Sequence, residues 1–306
     1  MKCSTTSKRG LLIFVLLSAF IGLRAYDVEV DGICYDVVKL ARMAVVTHRG
    51  SGVVPEPNSY AGEVVIPEHI TYNGRTYVVR SVSQNAFADC EELVSVKLPS
   101  TLTAVSSCAF LGCPKLKEVS VPQSLLSVGS CAFTGCTSLK SMILPRKAEF
   151  VDTLTFYCCA SLTSLILPHR IQTVCEGALE HIPSMTDLYC YASVPPVAEQ
   201  GSFTLRDQQK CTLHVPKASI PLYQEAFGWK DFQKIVALKD EEYISQNYQK
   251  GDINDDGRID AEDLALMQRI IVSLPDDSSV RWAADVNADG IVNGVDFVLL
   301  RKQVFQ

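Results

Sequence analysis

Apolar residues in the middle of the chain recur at a fixed period of twenty-three positions. Four consecutive blocks align without a gap, and a fifth opens after them; their first residues are Leu93, Leu116, Leu139, Leu162 and Met185. A block of this size cannot bury its apolar face alone, whereas stacked blocks bury each column against its own copies. The period therefore predicts a solenoid with a continuous core ladder.

Each block begins with a pattern typical of a short β-strand. In the first block Leu93, Val96 and Leu98 are apolar, and Pro99 follows directly. Because proline has no N–H to donate to a sheet, we expect the strand to end there. The Ala109-Phe110 pair farther along predicts a turn or short helix on the opposite side, which we call the wedge. One strand per block predicts a parallel sheet along one face of the solenoid.

The arrangement resembles the BspA-like leucine-rich repeat family of exported bacterial proteins. The likeness lies in the first segment VVIPEHITYNGRTYVVRSVSQNAFADC, the repeats LxxVxLP with CAFxGC, and the last segment TLHVPKASIPLYQEAFGWKDFQKIV. It implies an α/β leucine-rich repeat solenoid over residues 26–240, with a β-rich N-terminal cap and a C-terminal cap. It also implies a recognition scaffold without a catalytic role. Thr155-Phe156 and Ala178-Leu179 replace the Ala-Phe pair in the third and fourth blocks, so we expect altered packing there.

Residues 1–25 have the pattern of a signal peptide. Basic residues precede an uncharged apolar run at residues 11–23, and a cleavage site is expected near Ala25. A run this short suits a signal peptide and does not span a bilayer core of about 30 Å. Cys3 lies before the run, so a lipoprotein anchor is not supported. We expect a bacterial protein that is secreted or at the cell surface, with no membrane span in the mature chain.

The charge balance argues against nucleic acid as a partner. The chain has 28 Lys and Arg against 34 Asp and Glu. Removal of the four basic residues of the leader leaves 24 against 34, a net charge of −10. A strongly acidic chain repels the phosphate backbone.

Twelve cysteines in an exported chain raise the question of disulfides. Six of them recur at the block period: Cys90, Cys113, Cys136 and Cys159 in one column, and Cys108 and Cys131 in another. A small apolar side chain that faces its own stacked copy explains such a column. Adjacent rungs of a sheet lie about 4.8 Å apart, which also permits disulfides, so both states stay open. Zinc is not indicated, because no CxxC pair faces a second pair or a histidine pair.

Two acidic segments near the C-terminus match each other position by position: DINDDGRIDAED (252–263) and DVNADGIVNGVD (285–296). Carboxylates this dense repel one another, and a divalent cation offsets the repulsion. Side-chain oxygens from positions 1, 3 and 5, a carbonyl from position 7, and positions 9 and 12 surround the ion, while glycine at position 6 makes the turn. One such loop would fit a polar Asx turn, whereas two matching copies favour cation binding. We predict two calcium ions, since six or more oxygens on a flexible loop suit calcium better than magnesium.

The predicted ligands are side chains, except at position 7, where the backbone carbonyl serves. In the first loop they are Asp252, Asn254, Asp256, Arg258 (carbonyl), Asp260 and Asp263. In the second loop they are Asp285, Asn287, Asp289, Ile291 (carbonyl), Asn293 and Asp296. Helical apolar stripes follow, at Leu264, Met267, Ile270, Ile271 and Leu274, and at Phe297, Leu300 and Val304. These stripes predict two helices that pack on each other.

The paired loop-helix units resemble a type I dockerin, a small all-α, EF-hand-like module. Aspartate at position 12 and the late basic pair Arg301-Lys302 support the likeness. We place this domain at residues 249–306, behind a polar linker at residues 241–248. The resemblance implies calcium-dependent docking onto a cohesin module of another protein. The implied cohesin contacts are Ala261, Glu262, Gln268 and Arg269 in the first unit, and Gly294, Val295, Arg301 and Lys302 in the second.

The sequence offers no catalytic constellation outside the two loops. The five histidines share no repeat column: His48, His69, His169, His181 and His214. A nucleophile elbow and a phosphate-binding loop are also missing from the sequence. Repeats and caps occupy all the residues between the leader and the dockerin, so we predict that the protein is not an enzyme.

Three hypotheses follow for the function. The first is an exported binding or adhesion protein whose repeats recognise a protein or glycan ligand and whose calcium-loaded dockerin docks onto a cohesin. The second is a free adhesin with a purely structural calcium module. The third is a substrate-recognition subunit of a polysaccharide-degrading assembly.

Overall fold

A computed structural model describes residues 26–50, 59–122, 124–238, 250–253, 259–272, 280, 283–287 and 291–305. The expected signal peptide at residues 1–25 and the expected linker at residues 241–248 lie outside the described residues. Within those described ranges, no helix combines the length and the apolar character needed to cross a membrane.

The chain begins with the predicted β-rich cap. Its strands are β1 (Val28–Val30), β2 (Ile33–Val38), β3 (Met43–Thr47), β4 (Gly62–Val65), β5 (His69–Tyr72) and β6 (Arg75–Val82). Strands β1, β2 and β3 pair antiparallel in chain order, and β5 and β6 form a hairpin. Asn73 and Gly74 at its turn have φ of 49° and 69°, the left-handed conformation that a two-residue hairpin loop requires at both positions. Strand β3 pairs in parallel with β6, which joins the cap to the solenoid.

The repeats form a parallel solenoid. Its further strands are β7 (Leu93–Lys97), β8 (Ala104–Val105), β9 (Glu118–Ser120), β10 (Ser127–Val128), β11 (Ser141–Ile143), β12 (Phe150–Val151), β13 (Ser164–Leu167), β14 (Thr173–Val174), β15 (Asp187–Cys190), β16 (Val197–Ala198), β17 (Thr212–Val215) and β18 (Lys234–Ala237). The predicted strands form two parallel sheets, β4-β7-β9 and β11-β13-β15-β17-β18. Val96 pairs with Val119 and Leu165 with Leu188, each with its equivalent in the next block. The predicted parallel solenoid and its period are confirmed.

Each of the four blocks also contains a second strand of only two residues, which the pattern did not predict. These strands are β8, β10, β12 and β14, and they are followed by β16. Each of the four carries the buried valine of its block on the inner side: Val105, Val128, Val151 and Val174. A two-residue strand is too short to produce an alternating pattern, so sequence periodicity carries no signal for it.

The repeat columns meet in one continuous core. Leu93, Leu116, Leu139 and Leu162 are all fully buried in it. Burial of a leucine side chain stabilises a fold by roughly 1.5–3 kcal/mol. Each further rung of the ladder therefore adds a similar amount to the stability of the solenoid. The phenylalanine rings of successive wedges stack in parallel. Their centroids are 5.0 Å apart for Phe87 and Phe110 and 5.3 Å apart for Phe110 and Phe133.

The aromatic stack ends with Phe156 in the third block, the first of the two blocks that depart from the Ala-Phe pattern. Phe156 continues the stack at 5.5 Å from Phe133, with Thr155 buried beside it. The next position holds Leu179, which instead forms an isolated parallel bridge with Phe203 of the C-terminal cap. The stack therefore persists in the third block, where the sequence predicts altered packing, and the packing changes only in the fourth.

Left-handed backbone recurs at two further columns of the repeat. The members of one column are Asn85, Cys108, Cys131, Leu154 and Gly177, and those of the other are Asp89, Gly112, Gly135, Cys158 and His181. The two columns lie on either side of the wedge, where the chain turns sharply into and out of it. Glycine accepts this conformation without strain, whereas an L side chain costs roughly 1–2 kcal/mol there. Stacked rungs hold the non-glycine members in place.

The eleven cysteines among the described residues are free thiols. The thiols of Cys113, Cys136 and Cys159 donate hydrogen bonds of 2.9, 3.1 and 3.1 Å to main-chain carbonyls of the wedge. Burial raises the pKa of Cys90 to about 12, and it does the same for Cys159. The column of Cys90, Cys113, Cys136 and Cys159 therefore holds protonated, buried side chains that pack against their copies, whereas Cys108 and Cys131 are partly exposed. Of the two states that the sequence leaves open for the cysteines, packing is the one observed.

Aromatic side chains close the solenoid at its C-terminal end. The cap contains helices α1 (Leu205–Gln208) and α2 (Ile220–Glu225) and ends with β18. The indole N–H of Trp229 donates to the carbonyl of Pro196 at 2.7 Å, and Trp229 is fully buried. A large buried aromatic with a satisfied polar atom covers the last open rung.

The C-terminal segment has its own small core. Helices α3 (Ala261–Val272) and α4 (Gly294–Val304) pack together around Leu264, Met267, Ile270 and Leu300. Phe297 and Val304 are partly buried against the same cluster. The predicted facing stripes are thus present, with one correction. Ile271 is 38% exposed and lies on the outer side of α3, because the helical turn carries it past the contact with α4. Leu274 lies outside the described residues.

Asp36 on β2 is a carboxyl group whose ionisation opposes folding. Burial is the main cause that raises its pKa from 3.8 to about 6, and the nearby Asp27 adds to the rise. The folded state therefore binds this proton more tightly than the unfolded state does. The protonated Asp36 carboxyl favours the folded state, so this contribution to stability is fully present below about pH 4 and is lost as the pH rises through about 6.

We predict that Asp36→Asn stabilises the protein at pH 7 and has little effect at pH 4. Thermal unfolding followed by circular dichroism at both pH values measures this difference. The exposed carboxylate Glu63 provides the control as Glu63→Gln, which should shift the melting temperature equally at both pH values. Equal shifts for Asp36→Asn at pH 4 and pH 7 would contradict the assignment.

Candidate calcium loops and docking helices

The position-12 carboxylates of the two loops are fully buried, and each accepts one hydrogen bond from the start of its loop and one from position 9. Asp263 accepts hydrogen bonds from the backbone N–H of Ile253 at 2.7 Å and of Asp260 at 2.9 Å. Asp296 accepts them from the N–H of Asn287 at 3.2 Å and of Asn293 at 2.9 Å. Each carboxylate thus ties the start of its loop to the first turn of the following helix.

Position 9 of each loop caps the helix that follows it. Asn293 accepts a hydrogen bond from the N–H of Val295 at 2.7 Å and forms a capping box with Asp296. Asp260 accepts one from the N–H of Glu262 at 2.8 Å. Side-chain oxygens at these positions satisfy N–H groups that have no partner within the helix, which is why both helices begin here.

The position-1 carboxylates are also buried, and each lies beside a basic side chain. The exposed fraction of Asp252 is 2%, and Nη1 of Arg146 lies 3.8 Å from its Oδ2. The exposed fraction of Asp285 is 9%, and Nζ of Lys250 lies 3.3 Å from its Oδ2. Lys250 also donates to the backbone carbonyl of Asp285.

Eight of the twelve predicted ligands fall within the described residues. They are Asp252, Asp260, Asp263, Asp285, Asn287, Ile291, Asn293 and Asp296. The remaining four, Asn254, Asp256, Arg258 and Asp289, lie outside them. Accordingly, the described residues taken alone bring no three His, Cys, Asp or Glu side chains together.

The donors that are described fit a hard cation. Each loop holds one buried carboxylate at its first position and another at its last, and hydrogen bonds fix the last one in place. All the predicted donors are oxygens, as calcium prefers. Four buried carboxylates in one small module carry a large desolvation cost, which bound cations offset.

All eight predicted cohesin contacts lie on the exposed surface of α3 and α4. Val298 and Phe305 are also exposed, with exposed fractions of 53% and 72%. Val295, Val298, Lys302 and Phe305 are spaced by three, four and three residues and therefore form one stripe along α4. This spacing was present in the sequence, but the family contact positions alone do not include Val298 and Phe305.

Known families match both parts of the chain. The BspA type leucine rich repeat region matches in six copies over residues 67–203, and the dockerin type I domain matches over residues 250–305. No curated protein matches the chain.

Solved structures of bacterial leucine-rich repeat proteins are also similar. A leucine rich repeat protein of T. pallidum is 25% identical, with a TM-score of 0.45, over 53% of this chain and 71% of that one. A leucine rich cell surface protein of Faecalibacterium prausnitzii A2-165 is 18% identical, with a TM-score of 0.45, over 61% of this chain and 54% of that one. A leucine-rich repeat protein of Bacteroides ovatus is 17% identical, with a TM-score of 0.36, over 70% and 77%.

The two family matches confirm both resemblances that the sequence motifs indicate. Type I dockerin domains bind calcium and bind cohesin-type partners. Leucine-rich repeats and dockerins are non-catalytic binding modules, typical of extracellular or cell-surface bacterial proteins. The chain thus contains a BspA-type leucine-rich repeat region followed by a C-terminal type I dockerin domain.

Proposed function

We propose that the protein is an exported, non-catalytic binding protein that attaches through its dockerin to a cohesin module of another protein. Its repeats then present a recognition surface for a protein or glycan ligand. The observation that carries the proposal is the dockerin match over residues 250–305, with its duplicated loop and helix. The proposed organisation is a leader at residues 1–25, repeats with caps at 26–240, a linker at 241–248 and the dockerin at 249–306.

The dockerin is proposed to bind two calcium ions, one in each loop. Asp252 and Asp263 would hold the first ion, and Asp285 and Asp296 the second, together with the other predicted donors. Bound calcium would neutralise the clustered carboxylates. The position-12 carboxylates already link each loop to its helix, so they would transmit this stabilisation to α3 and α4.

The outer face of α4 is proposed as the main docking face. Equivalent positions of the two loop-helix units pair Val295, Val298, Lys302 and Phe305 on α4 with Glu262, Ala265, Arg269 and Val272 on α3. The α4 stripe is much more apolar than its α3 counterpart. Exposed valine and phenylalanine side chains gain roughly 25 cal/mol per Å² when a partner covers them, and buried aromatics dominate binding energies. The matching cohesin surface would be apolar, with acidic groups opposite Arg301 and Lys302.

The outer face of the solenoid sheet is proposed as the ligand-binding surface. Along β11 to β17 a column of partly exposed residues runs through Ile143, Ile166, Tyr189 and His214. The rings of Tyr189 and His214 stack at 4.3 Å, and Nε2 of His214 lies 2.8 Å from Oδ1 of Asp187. Stacking covers the ring faces and leaves the ring edges towards solvent. A firm apolar stripe beside fixed polar groups supports a recognition role for this face.

Calcium binding gives the first test. Asp263→Asn and Asp296→Asn each remove a ligand charge and keep one acceptor oxygen, so each variant retains one of the two backbone hydrogen bonds. We expect isothermal titration calorimetry to find two calcium ions in the wild-type chain and one tight site in each single variant. The double variant should lose the gain in helical circular dichroism on calcium addition. Glu262→Gln, an exposed neighbour, should retain both sites. Two unchanged sites in the single variants would contradict the ligand assignment.

The docking face gives the second test. Val298→Glu should weaken calcium-dependent cohesin binding at least about 100-fold, because a buried unpaired charge costs several kcal/mol. The matched variant Ala265→Glu on α3 should change the affinity by less than about threefold, within the range of a rim charge. Calorimetry against cohesins encoded in the same genome measures both. Equal losses would contradict the choice of α4. If no cohesin binds the wild-type chain in calcium, the second hypothesis, a free adhesin with a purely structural calcium module, replaces docking.

A further inference from the structure

Arg146 is a buried arginine at the edge of the solenoid. It follows Pro145, directly after β11, and 10% of its side chain is exposed. Its Nη1 lies 3.8 Å from Oδ2 of Asp252, whose side chain is completely covered. Asp252 is the first residue of the first calcium loop. One ion pair therefore connects the repeat region to the dockerin at a predicted calcium ligand.

The repeat itself does not require Arg146 to be buried. The equivalent residue after the strand proline is Ser100 in the first block, which is exposed, and His169 in the fourth, which is half-buried. Arg146 has the longest side chain of these three and is the most covered. The contact with Asp252 of the dockerin therefore contributes to its burial.

The two calcium loops differ in the origin of the cation beside their first carboxylate. Asp285 in the second loop lies next to Lys250, which belongs to the dockerin itself. Asp252 in the first loop lies next to a solenoid residue. A guanidinium group and a calcium ion both bind carboxylate oxygens and both neutralise the carboxylate charge. Close approach of both cations to one carboxylate would set like charges together at a buried position, which is unfavourable.

We propose that Arg146 and calcium compete for Asp252, so that calcium in the first loop releases the dockerin from the solenoid. Without calcium, the guanidinium group supplies the positive charge that Asp252 needs, and the dockerin is held against the turn after β11. With calcium, the ion takes over that charge and the ion pair with Arg146 is lost. The two equilibria are linked, so the contact weakens calcium binding by the same factor by which calcium weakens the contact. This inference rests on the proposed calcium site in the first loop.

Calcium titration of the full-length chain tests the competition. Arg146→Ala should raise the affinity of one of the two calcium sites about tenfold, within the usual range of coupling between two sites, and leave the other unchanged. Arg146→Lys should give a smaller gain. Lys140→Ala removes an equal charge from an exposed position of the same block and should change neither site. An unchanged or lowered calcium affinity in Arg146→Ala would overturn the proposal.

Small-angle X-ray scattering gives a second readout that does not depend on the titration. The wild-type chain should gain radius of gyration when calcium is added, whereas Arg146→Ala should be expanded before calcium is added. Identical radii for both chains without calcium would also overturn the proposal. If the wild-type chain binds no calcium at all, the proposed calcium sites are wrong. The scattering comparison without calcium still reports whether Arg146 holds the two regions together, so the two failures remain distinct.

Discussion

The structure depends above all on the stacking of each repeat residue against its own copy one rung away. A rung alone exposes its apolar face, and only its neighbours remove that face from water. The fully buried leucines and the parallel phenylalanine rings show this most directly. Because stacking is all that covers the rungs, the two ends need covers of a different kind. The antiparallel cap at the N-terminal end and the buried Trp229 at the other end serve this purpose.

In the dockerin region, buried charge matters more than the stacking of apolar side chains. Its buried groups include four carboxylates, two in each loop, and its apolar core is small. Backbone amides and neighbouring cations partly compensate this charge in the structure. The solenoid thus derives its stability from the sequence of its own repeats, whereas the proposed calcium sites would make part of the dockerin's stability depend on an ion in solution. Such a division allows one part of the chain to stay rigid while the other responds to its surroundings.

The core of the solenoid could be predicted from the sequence because its columns repeat at a fixed period and contain the same residue types. The left-handed columns could not, since Cys108, Cys131 and Leu154 carry no sign of that conformation, whereas Asn85, Asp89 and the glycines such as Gly112 do. In the dockerin, the loop motif identifies its residues by spacing alone. The burial of Arg146 has no counterpart in the sequence, because the proline-turn motif is the same in blocks where this position is exposed. Contacts between distant parts of a chain leave no periodic pattern.

The uniform register of the stacked rungs has a consequence for how such a protein can change. Every ladder advances by one copy per block, so duplication of a whole block would leave each kind of ladder contact intact. It would lengthen the solenoid between its two caps by about 4.8 Å per block. The length of the solenoid can therefore change during evolution in small, equal steps, while the contacts between neighbouring blocks stay the same.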